Sequence, residues 1–361
     1  MEKEEIRLLL HGIDTLQCAY YLLPIEKGNE LNFDDLSKMR EGIRQSRTKD
    51  AMPVTIGMTE FLLQPYGTQS GYPLVLKNRD FKIEFGEYNW PNFYVTFTSE
   101  ALWRESAFGL HKRFLKWVES IGYKEQKNET LSRVDFTFDF NVPEIDFTED
   151  HFVSRSTKDS QHRENKKIQT FQFGKGDVVL RVYDKVSEII QKSEKVWFFN
   201  LWGQSENVWR IEWQVRKEIL KRFGIKKFRD LEERYGDILR YLATEHDTLR
   251  IPNGDNNPSR WPMHPLWESL IEKILTLNHI GILRDYKNEE IINERLTRLG
   301  ISVYGYLKRM AALNCMNLRR DVMTFKDALT RMDELMKMVH EPLTWKEDIK
   351  RRVKEMQLGK W

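Results

Sequence analysis

Between residues 132 and 140 the chain alternates without a slip, with Val134, Phe136, Phe138 and Phe140 on one side and Arg133, Asp135, Thr137 and Asp139 on the other. Successive side chains of a β-strand point to opposite faces, so this run fits a sheet with one face in a core and the other ionic. The same rule over residues 180–185 groups Arg181, Tyr183 and Lys185. Over residues 209–216 it groups Arg210, Glu212, Gln214 and Arg216 opposite Trp209, Ile211, Trp213 and Val215. If the three strands are neighbours, acids, arginines, a lysine and a tyrosine come within cross-strand reach of one another. A solvated face laced with ion pairs accounts for any one of these strands, whereas the three together point to phosphate chemistry.

Runs rich in β-branched and aromatic residues recur at 12–23, 54–63, 72–77, 81–85, 93–98, 131–142, 168–185 and 208–215. Gly, Asn and Pro separate them, and the 168–185 run reads as a hairpin turning at Gly174, Lys175 and Gly176. Helices are predicted at 32–47 and 99–121, the second with Ser99 as N-cap and Leu102, Phe108, Leu110, Phe114, Leu115 and Val118 at helical spacing. From about residue 230 the pattern turns helical, at 230–244, 265–277, 288–299, 302–313 and 324–339, with a loop at 251–262. The expectation is an α+β chain, with an antiparallel sheet and packed helices over 1–228 and a helical domain over 229–361 that binds DNA or dimerises.

The net charge of +3 and pI near 8.6 are too mild to diagnose nucleic-acid binding, so the placement of charge must decide. Two basic stretches stand out. One holds Arg155, Lys158, His162, Arg163, Lys166 and Lys167, and the denser one holds Arg216, Lys217, Lys221, Arg222, Lys226 and Lys227. The segments 288–299 and 302–313, joined at Gly300, have the layout of a helix-turn-helix with Tyr304, Tyr306, Lys308 and Arg309 on the second helix, although ordinary bundles contain such pairs too. Cys18 and Cys315 are far apart, which disfavours a disulfide framework or a thiolate zinc site. No secretory leader or membrane-length apolar run is evident, and a cytoplasmic location is expected.

The order Arg133-Val134-Asp135 with Asp139, then Arg181-Val182-Tyr183-Asp184-Lys185 with Glu188, then Arg210-Ile211-Glu212 with Arg216, resembles the Rep-trans family. That family comprises the replication initiation factors of rolling-circle plasmids and related relaxases of integrative conjugative elements. The resemblance covers roughly residues 10–225. It implies a strand-nicking domain in which Tyr183 is the nucleophile and acids on neighbouring strands hold a metal ion. It also implies origin DNA as partner, a homodimer and a helicase partner.

Attack by a tyrosine on a phosphodiester leaves a free 3′-hydroxyl and a 5′-phosphotyrosine. A phenol titrates near pH ~10, so it needs help at neutral pH, and Lys185 and Arg181, each about 7 Å along the strand, are the expected helpers. Hard oxygen ligands suit Mg²⁺ or Mn²⁺. Asp135 and Asp139, about 13 Å apart on one strand, cannot share an ion unless a bulge intervenes, so Asp135 with Glu212 is the expected pair. Asp139 is a lesser candidate, at least as readable as a strand-end ion-pair partner, and Glu188 reads either as a third ligand or as a first-turn acid near a helix start. Arg133, Arg210, Arg216, Lys217, Lys221 and Arg222 are the expected DNA contacts. A His-hydrophobe-His motif is absent, and the eight histidines are scattered. A conjugative relaxase, a non-catalytic DNA-binding protein and a metal nuclease that activates water are the alternatives.

Overall fold

Eleven strands hydrogen-bond into one antiparallel sheet in the order β2-β3-β4-β5-β6-β1-β7-β12-β11-β10-β9. They are β1 (Arg7–Pro24), β2 (Met52–Ile56), β3 (Thr59–Leu63), β4 (Leu74–Lys77), β5 (Phe81–Phe85), β6 (Phe93–Phe97), β7 (Tyr123–Asn141), β9 (Asp159–Glu164), β10 (Lys167–Phe173), β11 (Val178–Asp184) and β12 (Val208–Arg216). Two short strands, β8 (Phe152–Ser154) and β13 (Asp247–Leu249), pair separately. The computed structural model describes residues 5–25, 31–47, 49–164, 167–281, 289–319 and 321–357.

The helices are α1 (Phe33–Gln45), α2 (Ser99–Arg104), α3 (Ala107–Ser120), α4 (Lys185–Glu188), α5 (Trp197–Trp202), α6 (Lys217–Arg222), α7 (Phe228–Tyr241), α8 (Pro265–Leu275), α9 (Glu289–Leu318), α10 (Phe325–Val339) and α11 (Pro342–Gln357). The helix predicted over 99–121 is interrupted at Glu105 and Ser106. Thr98, rather than Ser99, caps α2 through the Ala101 amide, and the Ser106 hydroxyl accepts the Gly109 amide at 3.0 Å to start α3. Two good capping residues within nine positions favour two short helices over one long one.

The apolar faces of the long central strands form the main core, with Val134, Phe136, Phe138, Ile211, Trp213 and Val215 buried beneath α3, α7 and α8. Helices α7 and α8 therefore belong to the sheet's own core. The chain divides into compact units at 283/284, not at the 228/229 boundary read from the sequence. The second unit, residues 284–361, contains α9, α10 and α11, with Leu307 and Ala328 buried and the rings of Tyr304 and Phe325 6.0 Å apart. The helix-turn-helix expected at Gly300 is not formed: α9 runs through that glycine as one 30-residue helix. A lone glycine costs a helix about 1 kcal/mol and does not by itself end it, and no proline follows to do so.

Under the other half of the sheet lies a buried polar chain. The Tyr20 hydroxyl and His111 Nδ1 are 2.8 Å apart, His111 Nε2 is 3.9 Å from Glu129, and Glu129 accepts the Phe228 amide at 3.0 Å. Nearby, Glu125 has a buried oxygen without a hydrogen-bond partner. Burial, then the charge of Glu129, pushes its carboxyl up to about 7. A folded-state value above the ordinary carboxylate value means that this group's contribution to stability is full at pH values below about 4.5 and is lost as pH rises through 7. Glu125→Gln is therefore expected to raise stability above pH 7 by about 1–2 kcal/mol, allowing for partial exposure, and to be neutral near pH 4.5. Urea unfolding at the two pH values checks this, and an equal effect at both would refute it.

Candidate nicking site

The three patterned strands are adjacent, with β12 between β7 and β11. Their register sets three rows on the polar face: Asp135 opposite Gln214; Thr137 opposite Glu212 opposite Arg181; and Asp139 opposite Arg210 opposite Tyr183. The β10–β11 hairpin turns where predicted. Gly174 takes φ +92°, and a Cβ there would meet the Val178 carbonyl at 2.4 Å, so only glycine fits.

From the third row the Tyr183 hydroxyl reaches the middle one, donating to Glu212 Oε2 at 3.0 Å. The other Glu212 oxygen accepts from Arg181 Nη1 at 2.8 Å, and Arg181 is steadied by Gln172 at 3.1 Å. Tyr183 is half-buried. Burial, with the Glu212 carboxylate second, raises its phenol well above the ordinary tyrosine value, against the opposing pull of Arg210. This net effect is the reverse of the help expected from Lys185 and Arg181, because both cations are engaged by acids. Arg181 is on Glu212, and Lys185, 2% exposed, is bonded to Glu188. Burial, then Arg210, lowers the lysine's own value. Glu188 also accepts from Ser193 at 3.1 Å. Asp184 caps the short α4 through the Ser187 amide at 2.9 Å, which fixes Lys185 beside the Tyr183 ring, 5.7 Å from its centroid.

The Asp139–Arg210 end of the third row is sealed. Arg210 is 0% exposed and bonds Asp139 through Nε at 2.6 Å and Nη2 at 2.8 Å, and Asp14 through Nη1 at 3.0 Å. Trp202 Nε1 donates to Asp139 at 2.9 Å, while Ser99, Trp103 and Lys195 donate to Asp14 at 2.8, 3.1 and 3.2 Å. Burial alone would raise Asp14, but Arg210, Lys195 and Lys185 outweigh it and hold the carboxyl well below its ordinary range. A small second core of Ile189, Phe198, Trp202 and Val208 roofs this end, with the Arg210 guanidinium 4.6 Å from the Phe198 ring centroid. Arg210, expected on DNA, is thus an internal brace, and Asp139 is its ion-pair partner, the second of the two roles open to it from the sequence. Arg222, also expected on DNA, is buried; Lys217 and Lys221 are half-buried and Arg216 is exposed.

Asp135 is 2% exposed and bidentate with Arg133, one contact being 2.7 Å. Burial, opposed by Arg133 and reinforced by Glu212, raises its carboxyl to about 6. Diagonal neighbours across paired strands have Cβ atoms roughly 7 Å apart, which places Asp135 and Glu212 within side-chain reach of a common ion. Among the described residues no three His, Cys, Asp or Glu side chains converge so as to hold a metal. His11 stacks on Phe138 of the apolar face, at 5.8 Å. Of the first basic stretch, Arg155 pairs with Glu245 at 3.6 Å, whereas Lys166 and the side chains of His162, Arg163 and Lys167 lie outside the described residues.

Asp14 and its donors Trp103 and Lys195 are what sequence reading missed. The signal was a single acid inside an apolar run, obscured by an irregularity in the β1–β7 register between Ile13 and Thr15 that upsets strict alternation. Trp103 reaches Asp14 by lying against Gly12, where a Cβ would stand 2.8 Å from the indole.

Residues 95–234 match a phage family model that describes the N-terminal part of a replication-associated protein. This stretch is similar to phage replication proteins. It takes in all three motif strands, so the polar face described above lies inside the matched stretch. A solved rolling-circle replication initiator from Geobacillus stearothermophilus aligns at 15% identity and TM-score 0.43, covering 77% of this chain and 100% of that one. No curated protein matches. No helix among the described residues is long and apolar enough to cross a membrane.

Proposed function

We propose that the chain initiates rolling-circle replication by nicking one DNA strand, with Tyr183 as nucleophile and Glu212 as its base. The observation that carries this reading is the 3.0 Å hydrogen bond from the Tyr183 hydroxyl to Glu212 on the neighbouring strand. A phenol held neutral by its surroundings must lose a proton to attack, and the carboxylate already receiving its hydrogen bond is the group placed to take it. Transfer of that proton lets the Tyr183 oxygen bond to phosphorus as the bond from phosphorus to the 3′-oxygen breaks. The proton on Glu212 then passes to the departing oxygen, giving a 3′-hydroxyl and a 5′-phosphotyrosine. Protonation of Glu212 also loosens its hold on Arg181, whose planar fork is suited to the phosphate oxygens.

Asp135, whose proton affinity the neighbouring Glu212 charge raises, would hold Mg²⁺ or Mn²⁺, an ion that keeps several waters and needs only one or two protein carboxylates besides the substrate phosphate, which leaves Glu212 to serve as the base. Bound there, it would supply Lewis-acid relief of charge on the phosphate. The test is incubation with Mg²⁺ or Mn²⁺ and single-stranded circular DNA, followed by denaturing electrophoresis. A covalent complex that maps to Tyr183 is expected. Cleavage without an adduct would mean that water is the nucleophile, and binding without cleavage would leave a DNA-binding protein. Glu212→Gln is expected to slow adduct formation by about 10²–10⁴-fold while binding stays within about threefold; an unaltered rate would remove Glu212 from the reaction.

A further inference from the structure

One polar row crosses most of the sheet. Arg216 of β12 lies opposite Arg133 of β7, Arg133 opposite Gln17 of β1, Gln17 opposite Thr96 of β6, Thr96 opposite Lys82 of β5, and Lys82 opposite Lys77 of β4. Directly opposed residues of antiparallel strands share a face, and here it is the face of Tyr183 and Glu212, since Arg216 and Glu212 are four residues apart on one strand. At about 3.3 Å per residue and 4.8 Å per strand, the row begins about 20 Å along β12 from the level of Tyr183 and extends about 24 Å across the sheet. Two of its steps, Arg216 beside Arg133 and Lys82 beside Lys77, oppose like charges, which disfavours the fold unless an anion lies between them. Asp135 and Glu84 neutralise one member of each pair, while Arg216 and Lys77 stay exposed.

Gln17, Lys77, Lys82 and Arg216 floor a groove of about 780 Å³, walled by Gln64, Tyr66, Thr68 and Ser70 of the loop between β3 and β4. The groove combines the cations, one of them, Lys82, paired with the lining carboxylate of Glu84, with neutral amide and hydroxyl groups and a 54% exposed tyrosine ring. Cations meet phosphates, amides and hydroxyls meet base and sugar edges, and an exposed ring offers a stacking surface. A recess of this size lies in the range of ordinary ligand pockets, and it admits a splayed strand rather than the width of a double helix.

We propose that this groove is a second nucleic-acid subsite, which holds the single strand flanking the cleaved phosphate. The inference rests on the reading of Tyr183 and Glu212 as the nicking centre, but it is tested by binding alone. Fluorescence anisotropy would compare an oligothymidylate of about 24 nucleotides with one of about eight, against strand-binding sites that typically span roughly 4–16 nucleotides. For Lys77→Gln with Lys82→Gln, the longer oligomer is expected to bind about tenfold more weakly at low salt. The slope of log affinity against log salt should fall by about 1.4, at about 0.7 for each phosphate that is no longer neutralised. The single variant Lys77→Glu, at an exposed position, should show the same loss with an unchanged thermal midpoint. Wild-type affinity and slope in both variants would overturn the proposal. An adduct at Tyr183 together with that negative result would leave the nicking centre standing without the groove, whereas the expected losses without any adduct would leave the groove standing without the nicking centre.

Discussion

Tyr183→Phe is expected to yield no covalent protein-DNA complex and to reduce strand nicking to below about one part in 10³ of the wild-type rate, with DNA affinity unchanged. The argument is one of chemistry more than of packing. Phenylalanine keeps the ring, its place in the Arg210 row and its contact with Lys185, and removes only the atom that donates to Glu212. Loss of that hydrogen bond leaves Glu212 still paired with Arg181, so the effect on stability should be about 1 kcal/mol. A large kinetic effect beside a small stability effect is the signature of a reacting group rather than a structural one. Relaxation of supercoiled DNA and denaturing electrophoresis of labelled strands would read the two losses together. Retained nicking in the variant would transfer the nucleophile to water and leave Tyr183 a strand tyrosine.

Much of this site was legible because strand alternation is a strict rule. Once Asp135, Arg181, Tyr183, Arg210 and Glu212 each fall on the polar face of a strand, only the order of strands remains to be found, and the sheet places β12 between the other two. What alternation cannot distinguish is an open polar face from a roofed one. Arg210 and Glu212 look equivalent in sequence, but α2 and α5 cover the Arg210 end, with Trp103 donating to Asp14 and Trp202 to Asp139. Those tryptophans lie on helices remote in sequence from the strands they touch, so no local pattern announces the contact. Lys185 was misjudged for a related reason. It is the first residue beyond β11, where the chain turns into α4 and brings Glu188 back onto the ammonium. The boundary between units escaped because helical periodicity in α7 and α8 reads the same whether a helix packs on a sheet or on another helix. Gly300 misled in the opposite direction, by reading as punctuation inside a helix that tolerates it.

The roofed end leads to the largest stability effect expected of any single substitution. Arg210→Met should destabilise the fold by about 3–5 kcal/mol, because it removes the guanidinium on Asp139 and one of the cations on Asp14 while leaving both carboxylates buried. Lys195 would still hold Asp14, together with the Ser99 and Trp103 donors, but Asp139 would keep only the Trp202 indole, and a neutral N–H cannot replace a charge in so dry a place. Being sealed from solvent, the effect should be nearly independent of salt, unlike that of an exposed pair. Urea unfolding would show a lower midpoint with an unchanged slope, since the surface exposed on unfolding is the same. Arg210→Lys should lie between the two, because it keeps the charge but loses the fork that bridges Asp139 and Asp14. If Arg210→Met unfolds within about 0.5 kcal/mol of the wild type, a difference no larger than that of an ordinary surface substitution, the Asp14–Arg210–Asp139 cluster does not brace the strands that position Tyr183. The rigidity of this polar face would then have to come from the hydrophobic layer beneath it alone.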